Sequence, residues 1–500
     1  MYLAFLPGSD KLQAMQLKLK IIPFILFPLL ISSCEGWLEL VPPDGLVRDE
    51  YWKSKEDVEA SLMGAYQEFA QLDATLFLTG ELRGDMIVYD VNAASDYRDI
   101  MDGNIFPDNR LCDWSRFYTV ITHCNSVLKY APIVQEADAT FSEYQMRVFE
   151  SEALFLRSLS YFYLVRIFRE VPLILEASES DNVDFFQPTS APEEILDQIT
   201  DDLLVARKGV REEYGNLEET KGRATKASIN ALLADISLWS FDYEDCISYV
   251  EAVEDEGYEP VPGSQWFGIF YPGNSLEGIF EFQFDASLEQ YNSTYDLTYF
   301  FRNFLASTSA MDLLDPSQSK EIIRGEGSIR ISDSKIWKYA GAAADGKTLR
   351  PGEDNKSGNW IVYRMADLLL MKAEALSQVG RFDEALAIVN DLRTKRLMNP
   401  LSVSNTPSAF EDLILEERAR ELAFEGKRWF DLLRLGRRND YMRKSKLIEI
   451  IVEKVPSTQK LLLSTKLTNP WGWYLPIEAD ELERNYLLNQ NPYYAGYETN

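Results

Sequence analysis

Residues 365–396 read MADLLLMKAEALSQVGRFDEALAIVNDLRTKR, and this stretch decides the fold. In its first half, apolar side chains recur at helical spacing, which predicts an amphipathic helix with one buried face. Gly380 ends that helix at low steric cost, and Asp383 is placed to cap a second one. The second helix has its own apolar face, from Ala385 to Leu392. Two amphipathic helices joined by so short a turn must lie antiparallel, as in a tetratricopeptide-type hairpin.

Residues 414–438 read ILEERARELAFEGKRWFDLLRLGRR and continue the helical pattern. Glu416 and Arg420 are spaced as an i,i+4 ion pair, and a dense apolar cluster follows Gly426. A catalytic site would need a nucleophile or a base with a partner, and neither motif is visible here. We therefore expect these charged side chains to hold helix ends and neighbouring segments together.

Two motifs of this region resemble the SusD/RagB family. They are YRMADLLLMKAEA at 363–375, and the run from EER at 416–418 to GKRWFDL at 426–432, in the expected order and separation. The resemblance implies a mainly α fold, in which tetratricopeptide-like helical hairpins form a single large body. It also implies a glycan- or nutrient-binding outer-membrane lipoprotein of Bacteroidetes-type bacteria, and not an enzyme.

Composition limits the alternatives. The 500 residues are 46% hydrophobic and 26% charged, which indicates a globular protein with a sizeable core. A net charge of −30 argues against nucleic-acid binding and against adhesion to anionic membranes through a basic patch. His123 is the only histidine, so we expect neither histidine-based catalysis nor a histidine-rich metal site. We predict no catalytic residue, no cofactor and no metal ligand set.

The cysteines show no CxxC metal or redox motif. We expect Cys112, Cys124 and Cys246 to be buried free thiols, although a bond between Cys112 and Cys124 stays open at this point. Calcium binding by the acidic loop 96–108 also stays open, and no EF-hand spacing is present.

The N-terminal segment predicts a lipoprotein signal. Residues 15–34 read MQLKLKIIPFILFPLLISSC, with a short basic region, an apolar run and two serines before Cys34. We predict a signal peptide over residues 1–33 and lipidation at Cys34, and a start of translation at Met15 stays open at this point. No other run of eighteen apolar residues occurs, so nothing else predicts a membrane span.

The mature domain is expected to comprise residues 34–500. Within it, residues 360–438 form the helical-repeat core, and residues 257–359 are a loop-rich insertion with short strands, such as 279–284. The resemblance implies that this insertion packs on the repeats and carries much of the ligand surface.

Candidate ligand-binding residues are aromatic side chains flanked by polar ones, because sugar rings present flat apolar faces and many hydroxyl groups. They fall in the loop region 79–108 and in the insertion. The candidates are Asp85, Tyr89, Asn92, Tyr97 and Arg98 in the first, and Trp266, Tyr271, Tyr291, Asn292 and Tyr295 in the second.

Together with these candidates, the resemblance implies a surface-exposed lipoprotein that binds oligo- or polysaccharide and delivers it to a TonB-dependent transporter in the outer membrane. One alternative is a peptide-binding uptake lipoprotein of the same family. Another is a helical-repeat scaffold that serves the transporter without binding a ligand. Binding of a glycan distinguishes the first hypothesis from the other two.

Overall fold

Helices account for most of the computed structural model, which describes residues 51–177, 186–319, 321–343, 348–350 and 352–496. The predicted signal peptide and Cys34 lie outside these residues. The elements before residue 257 are, in chain order, α1 (Lys55–Ala70), α2 (Asp73–Glu81), β1 (Ile87–Tyr89), α3 (Ser95–Met101), α4 (Ser115–Ala137), α5 (Glu143–Phe168), α6 (Pro192–Gly209), α7 (Leu217–Gly222), α8 (Lys226–Ser240) and α9 (Tyr243–Asp255).

After residue 257 the elements first become short and then lengthen again into helices. In chain order they are α10 (Trp266–Phe270), β2 (Gly278–Phe282), a π-helix (Tyr295–Phe300), β3 (Phe304–Ala306), α11 (Thr308–Leu314), α12 (Pro316–Ser319), α13 (Ile322–Ser328), β4 (Ile329–Arg330), β5 (Lys335–Ile336), β6 (Trp360–Arg364), α14 (Met365–Gln378), α15 (Phe382–Lys395), α16 (Pro407–Glu421), α17 (Arg428–Tyr441), α18 (Lys444–Glu453), α19 (Ser457–Leu467) and α20 (Ala479–Arg484).

The core of the N-terminal half is α5, which packs against α1, α4 and α6. Every side chain from Ser151 to Phe168 is buried, so this helix is covered on all sides. Its start is fixed by a capping box, in which the Ser142 hydroxyl accepts a hydrogen bond from the Gln145 backbone N–H. Thr225 and Ser228 form the same device at the start of α8.

The mainly α fold with helical hairpins is confirmed. α14 packs against α15, and α8 packs against α9, as the apolar periodicities predict. Gly380 follows α14 with φ +83°, a conformation that favours glycine. The predicted capping role of Asp383 is wrong. Arg381 occupies the N-cap position, and Asp383 lies in the first turn, where its negative charge favours the helix dipole.

The described residues form three small sheets, each of two antiparallel strands. β2 pairs with β6, β1 with β3, and β4 with β5. The strand expected at 279–284 is confirmed as β2, and its partner β6 leads directly into α14. The region 79–108 contains more structure than its lack of helical periodicity predicts, since it includes β1 and α3. Both elements are too short to show a period, and β1 obtains its hydrogen bonds from β3, more than 200 residues away.

A buried ion network joins the insertion to the helices after it. Its positive members are Arg324, Lys338, Arg364, Arg393 and Arg396, and its negative members are Glu277, Glu321, Glu417, Glu421 and Glu425. Glu421 lies at the centre and accepts hydrogen bonds from Arg364 at 2.8 Å, Arg396 at 2.9 Å and Arg324 at 3.0 Å. These three guanidinium groups hold the pKa of Glu421 well below its ordinary value, although burial opposes them. The expected structural role of charged groups in this region is confirmed.

Two further features concern the described part of the chain as a whole. Cys112, Cys124 and Cys246 are buried free thiols, as expected. Within the described ranges, no helix combines the length and the apolar character that crossing a bilayer requires.

Removing the charge of Glu421 should destabilise the protein much more than removing a charge elsewhere on the same helix. Glu421→Gln leaves three buried guanidinium groups with one negative charge fewer, which should lower the free energy of unfolding by about 3–5 kcal/mol. The matched control is Glu416→Gln, which breaks the exposed pair with Arg420 and should cost about 0.3–0.5 kcal/mol. Urea unfolding of both variants measures the difference, and similar losses would contradict the assigned importance of the network.

Candidate functional site

Two neighbouring cavities in the described part of the chain form one extended concave surface. The first has a volume of about 730 Å³ and lies between α1 and the segment that follows β2. The second has a volume of about 660 Å³ and lies between the loop around Asn92 and the end of the π-helix. Ser293 and Asp296 line both cavities. We call the two cavities together the groove.

The groove depends on one contact between a helix terminus and a loop. Asp73, the first residue of α2, accepts hydrogen bonds from the Ser293 backbone N–H at 2.6 Å and from the Ser293 hydroxyl at 2.9 Å. Asn292 is buried behind this contact, where its side-chain amide donates to the Gly358 carbonyl at 2.7 Å. Its own backbone N–H donates to the Lys356 carbonyl at 2.9 Å. With Asn292 and Ser293 fixed in this way, the preceding Tyr291 is held at the rim of the first cavity.

Exposed aromatic side chains line both cavities. Tyr291 is 41% exposed in the first cavity, and Phe300 and Phe301 are 63% and 56% exposed in the second. The rings of Phe300 and Phe301 meet edge to face, with centroids 5.0 Å apart. Large apolar side chains exposed beside a cavity are a common feature of binding sites. Phe300 is the last residue of the π-helix and Phe301 directly follows it, and π-helical turns are frequent at functional sites.

The predicted residues Asn92, Tyr97 and Tyr291 line the groove. Asn92 donates a hydrogen bond to the Phe301 carbonyl at 3.1 Å and so joins the two sides of the second cavity. Tyr97 is almost buried beneath the guanidinium of Arg110, whose carbon lies 4.8 Å from the ring centroid.

Other predicted residues lie close to the groove and support it. Asn292 is buried, as described above, and Tyr295 packs in a small apolar cluster with Trp337 and Ala340. Arg98 donates to the backbone carbonyls of Val91 at 3.0 Å and Ala93 at 2.9 Å, which fixes the loop that carries Asn92.

The remaining predicted residues lie elsewhere. Asp85 is buried in an ion pair with Arg428 at 2.6 Å. Trp266 has no exposed surface and packs edge to face on Phe270, with centroids 4.8 Å apart.

Tyr271 lies under Arg350, whose guanidinium carbon is 3.9 Å from the ring centroid. Tyr89 is partly exposed in a separate small cavity of about 210 Å³. Asp85, Trp266, Tyr271 and Tyr89 therefore all lie outside the groove.

Sequence reasoning missed several residues that line the groove, namely Asp73, Arg110, Arg223, Gln283, Glu289, Gln290, Ser293, Asp296, Phe300 and Phe301. A signal for part of this set was present in the run QYNSTYDLTYFFRN at 290–303, in which aromatic and polar residues alternate without an amphipathic period. Asp73 and Arg223 had no such signal, because they belong to helix ends distant in sequence.

Burial changes the acidity of one carboxyl group in the groove. Asp73 is almost fully buried, and this burial raises its pKa to about 6, against the hydrogen bonds from Ser293 that lower it. In the described ranges, no group of three or more histidine, cysteine, aspartate or glutamate side chains is placed to hold a metal ion.

The fold and the groove define a helical-repeat protein of the SusD type. A family model described as "SusD family" matches residues 336–494, and one described as "Starch-binding associating with outer membrane" matches residues 36–238. The chain belongs to the SusD/RagB family.

Individual relatives agree with this assignment. SusD-like protein P38 of Formosa agariphila is 26% identical over 465 residues, which cover 82% of this chain and 90% of that protein. A SusD superfamily structure from Bacteroides vulgatus is 20% identical, covers 89% of this chain and 100% of its own, and has a TM-score of 0.73. A structure described as a laminarin-binding SusD-like protein is 22% identical, covers 89% of this chain and 100% of its own, and has a TM-score of 0.69.

The raised pKa of Asp73 predicts a specific dependence of stability on pH. Because its pKa of about 6 lies above the ordinary value of 3.8, the folded protein binds this proton more tightly than the unfolded chain. The resulting stabilisation is present below about pH 4 and is lost as the pH rises through 6. A pKa difference of this size corresponds to about 3 kcal/mol.

Urea unfolding of the wild type and of Asp73→Asn at pH 4 and pH 7 tests this expectation. The free energy of unfolding of the wild type, relative to that of the variant, should fall by about 2–3 kcal/mol between the two pH values. Asp201→Asn, on an exposed position of α6, is the matched control. A difference that stays constant for Asp73→Asn would contradict the assigned cost of burying this carboxylate.

Proposed function

We propose that the protein captures an oligo- or polysaccharide in the groove and delivers it to a TonB-dependent transporter of the outer membrane. The observation that carries this proposal is the presence of exposed aromatic rings on both sides of Ser293 and Asp296, within cavities of the size that ligands occupy. The laminarin-binding relative and the starch-binding description of the matched family model support a saccharide as the ligand.

The chemistry of the lining suits sugar rings. The apolar faces of pyranose rings pack on aromatic side chains such as Tyr291 and Phe300, while their hydroxyl groups need donors and acceptors. The amides of Gln290 and Asn303 line the cavities and offer both. The rings of Tyr291 in one cavity and Phe300 in the other lie on opposite sides of the shared wall, which suits a chain of several sugar units.

We also propose that the protein acts by capture without chemical conversion. Of the three carboxylates that line the groove, Asp73 is used structurally, since it holds Ser293 in place. A sugar bound on Tyr291 would, on this proposal, be retained intact and passed on. Turnover of a bound oligosaccharide by the purified protein would contradict this part of the proposal.

Binding of polysaccharides by the purified protein tests the proposed function. In affinity electrophoresis against a panel of polysaccharides, we expect at least one polymer to retard the wild type. Tyr291→Ala and Phe300→Ala should each weaken that binding by about tenfold, because each removes an aromatic platform. Tyr144→Ala is the matched control, since Tyr144 is 61% exposed on α5 outside the groove.

Each outcome of this experiment has a distinct meaning. Loss of retardation in the Tyr291 and Phe300 variants, but not in the Tyr144 variant, supports capture in the groove. Absence of retardation on every polymer would contradict glycan capture, and peptide uptake or a scaffold role at the transporter would then be favoured. Equal retardation of all variants would place the ligand elsewhere.

Membrane attachment forms a separate part of the proposal, and it depends on Cys34. We propose that the signal over residues 1–33 is removed and that acylation of Cys34 tethers the protein to the outer membrane, exposed at the cell surface. Expressed in a Bacteroidetes host, the wild type should incorporate labelled palmitate and co-purify with outer-membrane fractions. Cys34→Ala should lose the label, whereas Cys112→Ala, which alters a buried thiol, should retain it. Labelling of the Cys34→Ala variant would contradict the proposed anchor.

A further inference from the structure

We propose that the groove selects uncharged polysaccharides and excludes polyanionic ones, such as polyuronates and sulfated glycans. Asp296 and Glu289 are the residues that would enforce this exclusion. The inference rests on the proposed function, because it concerns which class of glycan the groove accepts. It is based on a difference between the arginines that line the groove, which form ion pairs, and the carboxylates of Asp296 and Glu289, which do not.

Asp296 occupies the position that a long ligand cannot avoid. It lines both cavities, so a chain extending from Tyr291 to Phe300 passes beside its carboxylate. Glu289 is exposed in the first cavity, two residues before Tyr291. Within the described part of the chain, neither carboxylate forms an ion pair. Both therefore present negative charge towards the ligand.

The arginines of the groove are engaged by carboxylates. Arg223 donates to both oxygens of Glu152, at 2.9 Å and 2.7 Å, through its Nε and Nη2 atoms, and its Nη1 lies 3.7 Å from a carboxylate oxygen of Glu59. This pairing is shielded, since the Glu152 side chain has no exposed surface.

Arg110, in the second cavity, pairs with Asp96 at 2.6 Å while its guanidinium lies on the Tyr97 ring. The nearby Lys356 also has a neighbour, because its Nζ lies 4.8 Å from the centroid of the Tyr291 ring. A carboxylate or sulfate on the ligand would thus meet two arginines whose charge is already balanced by carboxylates, next to two carboxylates whose charge is not balanced.

Close contact matters more here than the charge of the whole protein. A net charge of −30 repels polyanions over a distance, but salt screens such repulsion beyond about 8 Å at physiological ionic strength. A ligand carboxylate within contact distance of Asp296 would feel a repulsion that salt screens much less. Discrimination should therefore depend on these two side chains individually, and this makes it accessible to substitution.

The experiment compares neutral polymers with carboxylated polymers of the same backbone. Laminarin, starch and galactomannan serve as neutral probes, and each is also oxidised at the C6 hydroxyl to give a carboxylated polymer with the same backbone. Polygalacturonate and carrageenan add natural polyanions. We expect the wild type to bind the oxidised form of its preferred polymer about tenfold more weakly than the neutral form.

Substitution then tests the assignment to residues. In the double variant Glu289→Gln/Asp296→Asn, the ratio of the affinity for the neutral polymer to that for the oxidised polymer should fall towards one. The matched control Glu136→Gln/Asp201→Asn changes the net charge by the same amount at exposed positions of α4 and α6, and it should keep the wild-type ratio. Because the readout is a ratio, a general loss of affinity in a variant does not imitate the effect.

The outcomes separate this inference from the function on which it rests. A polyanion bound as tightly as its neutral counterpart, or bound alone, would overturn the inference while supporting glycan capture. A ratio that the double variant leaves unchanged would also overturn it, since the oxidation would then act by removing a required hydroxyl group. Failure of every polymer to bind would contradict the proposed function, and the inference with it.

Discussion

The structure depends on the burial of Glu421 among three guanidinium groups. Arg324 comes from α13, Arg364 from the end of β6 and Arg396 from the residue after α15, so a single carboxylate joins three separate segments to α16. Five positive and five negative side chains make up the network, and this balance is what makes their burial tolerable, because a buried charge without its partner is very costly. The network therefore specifies one arrangement of the insertion on the helices, since another arrangement would leave charges unpaired.

The geometry of the groove follows from the way in which the ion network holds the insertion on the helices. Glu277, a member of the network, directly precedes β2, and β2 pairs with β6, whose last residue is Arg364. At the other end of β2, Phe282 stacks on Phe69 of α1, with ring centroids 4.9 Å apart. The chain then enters the segment that Asp73 holds through Ser293. The position of Tyr291 is thus fixed from both sides, by the ion network through β2 and by the start of α2 through Ser293. A rigid approach of this kind limits the ordering cost of binding a ligand.

Sequence reasoning predicted the helices well because long amphipathic segments carry a strong periodic signal, as α14 and α15 show. It predicted the pair Glu416–Arg420 because both residues lie on one helix, whereas the contacts of Glu421 join residues up to 97 apart, which spacing cannot show. Composition also could not separate exposed from buried aromatic residues. Trp266 and Tyr291 are both candidates in the same loop-rich insertion, yet one is fully buried beside Phe270 and the other is 41% exposed. Their burial is decided by tertiary packing, and for the same reason Asp85 became the partner of Arg428.

The ranges matched by the family models show how the parts of the groove differ. The first match ends at residue 238 and the second begins at residue 336. The exposed rings of Tyr291, Phe300 and Phe301 lie between these two ranges. Asp73, Asn92 and Tyr97 lie within the first matched range, and the ion network draws on the second through Arg364 and Glu421. The groove thus combines a wall that belongs to the family scaffold with a wall that lies between the matched ranges. Such a division would let the wall that we propose to face the ligand change its aromatic and charged residues without disturbing the contacts that hold it. Ser293 reaches Asp73 partly through its backbone N–H, and a substitution at the neighbouring side chains leaves this hydrogen bond in place.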